Sequence, residues 1–159
     1  MKKASIFLLL HDIRSAHNVG AMFRTADAAG VAKVFLSGTT PAPVDRFGRP
    51  VKEIIKTALG AEKNVTWKQV ANAAKFLDDF KKDGGRIVAI EQDKKALDYK
   101  KITSLKGPTL FIVGNEVAGL PRRILRQCDV VAEIPMRGSK ESLNVSVALG
   151  VALFRILNI

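Results

Sequence analysis

The stretch "IPMRGSKESLNVSVALG", residues 134 to 150, reads as the end of a buried strand, a polar loop and the start of an apolar helix. Three polar residues, Ser142, Asn144 and Ser146, stand at the head of that helix. In a plain core helix they are poor choices, because Ser and Asn side chains compete for backbone hydrogen bonds and are costly to bury without partners. Ser142 is accounted for as a helix cap bonding the amide of Asn144 or Val145. Asn144 and Ser146 then lie within an otherwise apolar helix and need other partners.

Outward from this stretch the same alternation recurs. The runs "SIFLLL" (5 to 10), "KVFLSG" (33 to 38), "RIVAI" (86 to 90), "TLFIVG" (109 to 114) and "VVAEIP" (130 to 135) are short and flanked by turn-forming or polar residues, as buried strands are. Between them, Val19, Met22, Phe23 and Ala26 fall on one face of a helix over 19–29, with Asn18 as its cap and Gly30 as its terminator. Residues 67–82 show a similar pattern, and "LNVSVALGVALFRIL" (143 to 157) forms the last helix. Strands alternating with helices predict an α/β domain with a mainly parallel sheet covered by helices on both faces. Residues 39–63, with Pro41, Pro43 and Pro50, read as the most loop-like region. There is no repeat and no linker, so residues 1–159 are expected to form a single domain.

A hydrophobic content of 47% over 159 residues suffices for a buried core and excludes a disordered chain. The formal charge of +11, from 26 Lys and Arg against 15 Asp and Glu, favours a polyanionic partner such as nucleic acid or an anionic membrane surface. "IFLLL" (6 to 10) is too short for a signal-peptide apolar region, and no uninterrupted apolar run approaches the roughly 18 residues of a membrane span. A soluble cytoplasmic protein with no membrane partner is expected. Cys128 is the single cysteine, which excludes an internal disulfide, and His11 and His17 alone make no zinc-ligand set, so no metal is expected.

In "VGNEVAGLPRR" (113 to 123), Gly114 and Gly119 have the spacing of a phosphate-binding loop, but Leu120 and Pro121 stand where Lys and Ser or Thr are required. The Rossmann glycine pattern is absent too. What remains is a strand end followed by Gly-Asn-Glu, a place where parallel α/β sheets hold ligands against exposed backbone; a tight turn with a solvated Glu116 is the alternative. Taken alone, Arg24 reads as a snorkelling side chain, the two histidines as structural or solvated, and Cys128 as a small core residue.

Taken together, "NVGAMFRTADAAG" (18 to 30), "VGNEVAGLP" (113 to 121) and "IPMRGSKESLNVSVALGVALF" (134 to 154) resemble the three ordered motifs of the SpoU (TrmH-type) RNA 2′-O-ribose methyltransferases of the SPOUT superfamily. "KTALGAEK" (56 to 63) is similar to a family segment between the first two. The resemblance implies a deep trefoil knot near the C-terminus, against the general rule that chains do not thread loops. It also implies S-adenosylmethionine as cofactor, held at Ile90, Gly114, Ile134, Met136, Ser142 and Leu143. The motif-one arginine, here Arg24, is implied as the catalytic residue, with Asn18 and Glu116 orienting it and the ribose. Ser142 and Asn144 face the active site, Asn144 positioning the helix start and the substrate edge. The functional unit implied is a homodimer, with the arginine contributed across the interface.

A ribose 2′-hydroxyl is a weak nucleophile at neutral pH, so catalysis is expected to consist of alignment and help in removing one proton. Guanidinium stays protonated in proteins; Arg24, together with an RNA phosphate, is therefore read as stabilising the developing alkoxide and relaying the proton. No separate RNA-binding domain is expected before the SPOUT core, so RNA capture is expected to fall to Arg46, Arg49, Lys52, Lys56, Arg122 and Arg123. The compact chain is similar to the tRNA wobble-position methyltransferases of the family, making tRNA the expected substrate. Ribosomal RNA, or a non-catalytic RNA-binding SPOUT domain, is the alternative.

Overall fold

Strands and helices alternate through the computed structural model, which describes residues 5–159. Seven strands form one sheet: β1 Ile6–His11, β2 Lys33–Ser37, β3 Trp67–Val70, β4 Arg86–Ile90, β5 Leu97–Asp98, β6 Thr109–Val113 and β7 Val130–Glu133. Their order is β3-β2-β1-β6-β4-β7-β5, and every pairing is parallel. The helices are α1 Ala16–Ala28, α2 Lys52–Ala58, α3 Ala61–Asn64, α4 Ala73–Lys82, α5 Arg122–Leu125 and α6 Val145–Leu157.

The central strands read as continuous apolar runs because both faces are covered. Leu8, Leu10, Val88, Ile90, Phe111 and Val113 point to one side, into a core shared with α1, α2 and α6. Their neighbours Leu9, Ile87, Ala89, Leu110 and Ile112 point to the other, against Leu77 of α4 and Ile124 of α5. The period of two along each strand thus sorts the side chains into two layers. Strand order also sets β4, β6 and β7, the strands around the knot that the resemblance implies, side by side, and α6 returns to pack on α1 and β4.

Four sequence readings are corrected by the structure. Residues 67–82 are not one helix: Trp67–Val70 pairs with the free edge of β2, and Asn72 caps α4 by accepting the Lys75 amide at 3.0 Å. The 39–63 region holds two helices, because Ile54 and Ala58 bury one face of α2 against α1. The cap of α1 is Ser15, whose Oγ accepts the Asn18 amide at 3.2 Å, so Asn18 lies inside the helix. The cap of α6 is Asn144, not Ser142; its Oδ1 accepts the Ser146 amide at 2.9 Å and the Ser146 hydroxyl at 2.6 Å. Gly30 does terminate α1: with φ +69° it lets the Val31 amide reach back to the Ala26 carbonyl.

The approach of α2 to α1 is set by Gly20. A Cβ there would stand 2.0 Å from Thr57 Oγ1 and 2.3 Å from the Ile54 carbonyl oxygen, so the helices close on bare backbone. Thr57 Oγ1 donates to the His17 carbonyl at 2.9 Å across the same contact. Gly20→Ala is expected to destabilise the fold by about 2–3 kcal/mol through forced separation of these helices, read as a lower denaturant midpoint at unchanged slope.

Candidate active site

A cleft of about 300 Å³ opens over the carboxyl ends of β4, β6 and β7. Ile90, Gly114, Ile134, Met136, Ser142 and Leu143 all line it, so the six residues assigned to the cofactor by resemblance converge on one place. The floor is made of strand ends and the far wall is the 134–144 loop. That loop is tied back by a hydrogen bond from Gln92 Nε2 to the Glu141 carbonyl.

The loop after β6 is the most tightly built part. Asn115 Oδ1 accepts the amides of Val117 (3.0 Å) and Ala118 (2.8 Å), while its Nδ2 donates to the Asp12 carbonyl at 2.9 Å. Glu91, at the end of β4, accepts the Leu120 amide at 3.0 Å and pulls the other end of the loop inward. Asn115, Glu91 and Gln92 carry no assignment from the sequence reading. Asn115 lies within the Gly-Asn-Glu that follows β6, which is its only signal in the sequence; nothing local marks Glu91, whose role exists only because β4 and the loop meet in space.

Glu116 is a clamp. Its carboxylate accepts the Arg14 amide at 3.0 Å, the Ser15 amide at 2.9 Å and Asn18 Nδ2 at 3.2 Å, holding the start of α1 to the cleft. Asn144 Nδ2 donates in turn to Asn18 Oδ1 at 3.2 Å. Glu116, Asn18, Asn144 and Ser146 therefore form one polar chain joining all three motifs, and this is what Asn144 and Ser146 at the head of α6 bond to. Partial burial pushes the Glu116 carboxyl up, but the Arg14 and Ser15 amides and the Asn18 side chain outweigh it and hold it below the ordinary carboxylate value. A lowered folded value means that its contribution is complete above the unfolded value and fades as pH falls through the folded one. Glu116→Ala is expected to cost about 1 kcal/mol near neutrality, the site being open to water, and the deficit should narrow in acid when denaturant midpoints are compared across pH.

Arg24 is placed elsewhere. Six positions along α1 turn it about 120° from Asn18, and among the described residues its guanidinium has no hydrogen bond or ion pair. It lines a second depression with Lys56 and Thr57 of α2 and Phe154 of α6. The expectation that Asn18 and Glu116 orient Arg24 is thus corrected within one chain: those two bond each other, while Arg24 faces away from their cleft. Arg46 and Arg49 lie in the loop before α2, and Lys52 and Lys56 are exposed on α2 itself. Arg122 opens α5, where it pairs with Asp93 at 2.9 Å, and exposed Arg123 follows it. His11 is buried, with Nδ1 2.8 Å from Ser37 Oγ, and burial lowers its pKa; burial pushes the Cys128 thiol up to about 12, leaving it inert. No helix among the described residues is long and apolar enough to cross a membrane, and no cluster of three or more His, Cys, Asp or Glu that could hold a metal is present among them.

A cleft over the carboxyl ends of parallel strands, walled by apolar side chains and exposed loop backbone, is the arrangement in which α/β domains hold small organic ligands. Residues 5–154 match the SpoU rRNA Methylase family. The chain belongs to that family and has its α/β SPOUT fold. Among its relatives are the 23S rRNA (guanosine-2'-O-)-methyltransferases RlmB of Pseudomonas aeruginosa, 38% identical over 152 residues, and of Coxiella burnetii, 36% identical over 152 residues. Each alignment covers 96% of this chain and 58% of the relative, so the chain spans little more than half the length of these proteins. The AdoMet-bound rRNA methyltransferase from Sinorhizobium meliloti superposes with a TM-score of 0.88 at 29% identity, covering 99% of this chain and 57% of that one. The A. aeolicus TrmH/SpoU tRNA modifying enzyme gives 0.82 at 28%, covering 98% and 75%.

Proposed function

We propose that this chain transfers a methyl group from S-adenosylmethionine to a ribose 2′-hydroxyl of RNA, with ribosomal RNA as the substrate class. The observation that carries the reading is the convergence of Ile90, Gly114, Ile134, Met136, Ser142 and Leu143 on one cleft at the strand ends. That cleft fits the cofactor: apolar walls from Ile90, Ile134, Met136 and Leu143 stand beside loop backbone at Gly114, and the volume suits a ligand of that size. Bound there, S-adenosylmethionine supplies an electrophilic methyl group. The naming of the relatives for 23S rRNA supports ribosomal RNA over the tRNA expected from the compact chain.

The chain's own residues have three tasks. Glu116, Asn18 and Asn144 fix the edge of the cleft where the ribose enters. Arg24, with an RNA phosphate, stabilises the negative charge that develops as the 2′-oxygen gives up its proton, and the proton is relayed through the phosphate to solvent while the guanidinium stays charged. Arg46, Arg49, Lys52, Lys56, Arg122 and Arg123 hold the RNA backbone; the exposed ion pairs of Arg49 with Asp45 and Arg122 with Asp93 are weak enough to yield to phosphates. Because Arg24 faces away from its own cleft, it serves the cleft of a second copy. Val147, Val151 and Phe154, exposed by 48%, 40% and 36%, recur along one side of α6, and Phe154 shares a depression with Arg24, an apolar stripe that supports such a homodimer.

Mapping of 2′-O-methyl sites in total RNA from a deletion strain and its parent tests the substrate. Loss at a ribosomal RNA ribose is expected; loss confined to tRNA restores the other substrate, and an unchanged map contradicts the proposed activity.

A further inference from the structure

The segment between β2 and α2 carries a built tip. Val44 bridges Pro50, and the Val51 amide donates to the Pro43 carbonyl at 3.0 Å, closing a short hairpin. Within it the Asp45 carboxylate accepts the amides of Phe47 (2.8 Å) and Arg49 (2.9 Å) and also Arg49 Nε (2.9 Å). Gly48, at φ +75°, completes the turn. The result holds the Phe47 ring out in water, 66% exposed, with the guanidinium carbons of Arg46 and Arg49 at 4.7 and 4.9 Å from its centroid.

Folding gives no reason to fix a large apolar ring in solvent, since burial is the favourable direction. Recognition does. An aromatic face between planar cations is what an unpaired nucleobase stacks on: every base has a π-face, arginine planes stack on bases too, and the charges meet the neighbouring phosphates. The hairpin is also rooted at the active-site edge. His11 and Ser37 end β1 and β2 side by side, and Thr40 Oγ1 accepts the Ile13 amide at 3.0 Å. Ile13 leads directly into Arg14 and Ser15, the two amides that Glu116 grips.

We propose that Phe47 is a stacking platform for an unpaired base of the RNA substrate, with Arg46 and Arg49 on the phosphates either side. This deepens the RNA reading above and rests on it. The base displaces one guanidinium from the ring, and that cation stays within reach of the base's own phosphate. The consequence is a substrate class: RNA with an unstacked nucleotide near the modified ribose, not continuous duplex.

The test uses a short oligoadenylate and an abasic ribose-phosphate chain of the same length. The parent should bind the oligoadenylate more tightly, and Phe47→Ala should abolish that preference, weakening oligoadenylate binding on the order of tenfold while leaving the abasic chain and the salt slope unchanged. Phe47→Trp should keep the preference and show fluorescence quenching on addition of oligoadenylate. Arg46→Ala with Arg49→Ala should flatten the salt slope by about one unit per lost contact. Salt-dependent binding in the parent with no loss in Phe47→Ala overturns the platform alone, whereas no salt-dependent binding in the parent overturns the RNA reading and the platform with it. Altered sedimentation of Phe47→Ala with unchanged RNA affinity makes the ring a protein contact and also overturns the proposal.

Discussion

Arg24→Ala is expected to lower methyl transfer by about a hundredfold or more while leaving the fold and cofactor binding intact. The separation follows from where Arg24 sits. It is exposed, has no hydrogen bond or ion pair among the described residues and is no part of the cleft at the strand ends, so neither core nor pocket loses a partner when it is shortened. What is lost is a planar cation for the developing 2′-alkoxide. Arg24→Lys divides the role: lysine keeps the charge without the fork that can hold a phosphate oxygen and the ribose oxygen together, so partial rescue indicates charge and no rescue indicates geometry. Single-turnover transfer of labelled methyl at saturating cofactor reads the chemical step. Transfer at the parent rate returns Arg24 to a side chain that merely covers apolar surface.

The second large effect is expected at Gly114. A Cβ there would lie 2.8 Å from the Gly119 carbonyl carbon and 2.8 Å from both Cγ and Cδ2 of Leu120. Leu120 can adjust, but the Gly119 backbone cannot, so the added carbon pushes the 115–120 loop away from β6. That loop carries Asn115 and the Glu116 clamp, so the wall of the cleft moves with it. Gly114→Leu should abolish S-adenosylmethionine binding in calorimetry, and Gly114→Ala should weaken it by roughly tenfold or more, with a cost to stability of about 1–3 kcal/mol. Unchanged affinity in a folded Gly114→Leu protein removes the cofactor from this cleft. Mixed with Arg24→Ala, Gly114→Leu also tests the dimer. Each variant is inactive alone, but a mixed dimer has one intact composite site, so transfer should reappear; silence in the mixture contradicts an arginine shared between copies.

Much of this was legible in the sequence because the signals are short-range. "IFLLL", "RIVAI" and "TLFIV" are buried on both faces and stand out as apolar runs, and they are the central strands of the parallel sheet. β3 was hidden for the opposite reason. It is an edge strand with Lys68 and Gln69 exposed, and Trp67, Val70, Ala74 and Leu77 fall at helical spacing, so periodicity runs through the break that Asn72 makes. The exchange of caps at α1 has the same origin: Ser15 and Asn18 are both capping residue types three positions apart, and only the bonds of the Asn18 side chain to Glu116 and Asn144 show that it is engaged outside the helix and leaves Ser15 as the cap. The family resemblance assigned six residues to one cleft, but not which helix face Arg24 occupies relative to Glu116, since that depends on how α1, α2 and α6 pack.

The most direct measurement is transfer itself. The purified chain is incubated with S-adenosylmethionine labelled in its methyl group and with ribosomal RNA lacking modifications, and the RNA is digested to nucleosides and separated. Label is expected in a 2′-O-methylnucleoside, appearing with the parent and missing with Arg24→Ala. Label on a base, or no label in RNA from a chain that binds the cofactor, contradicts it.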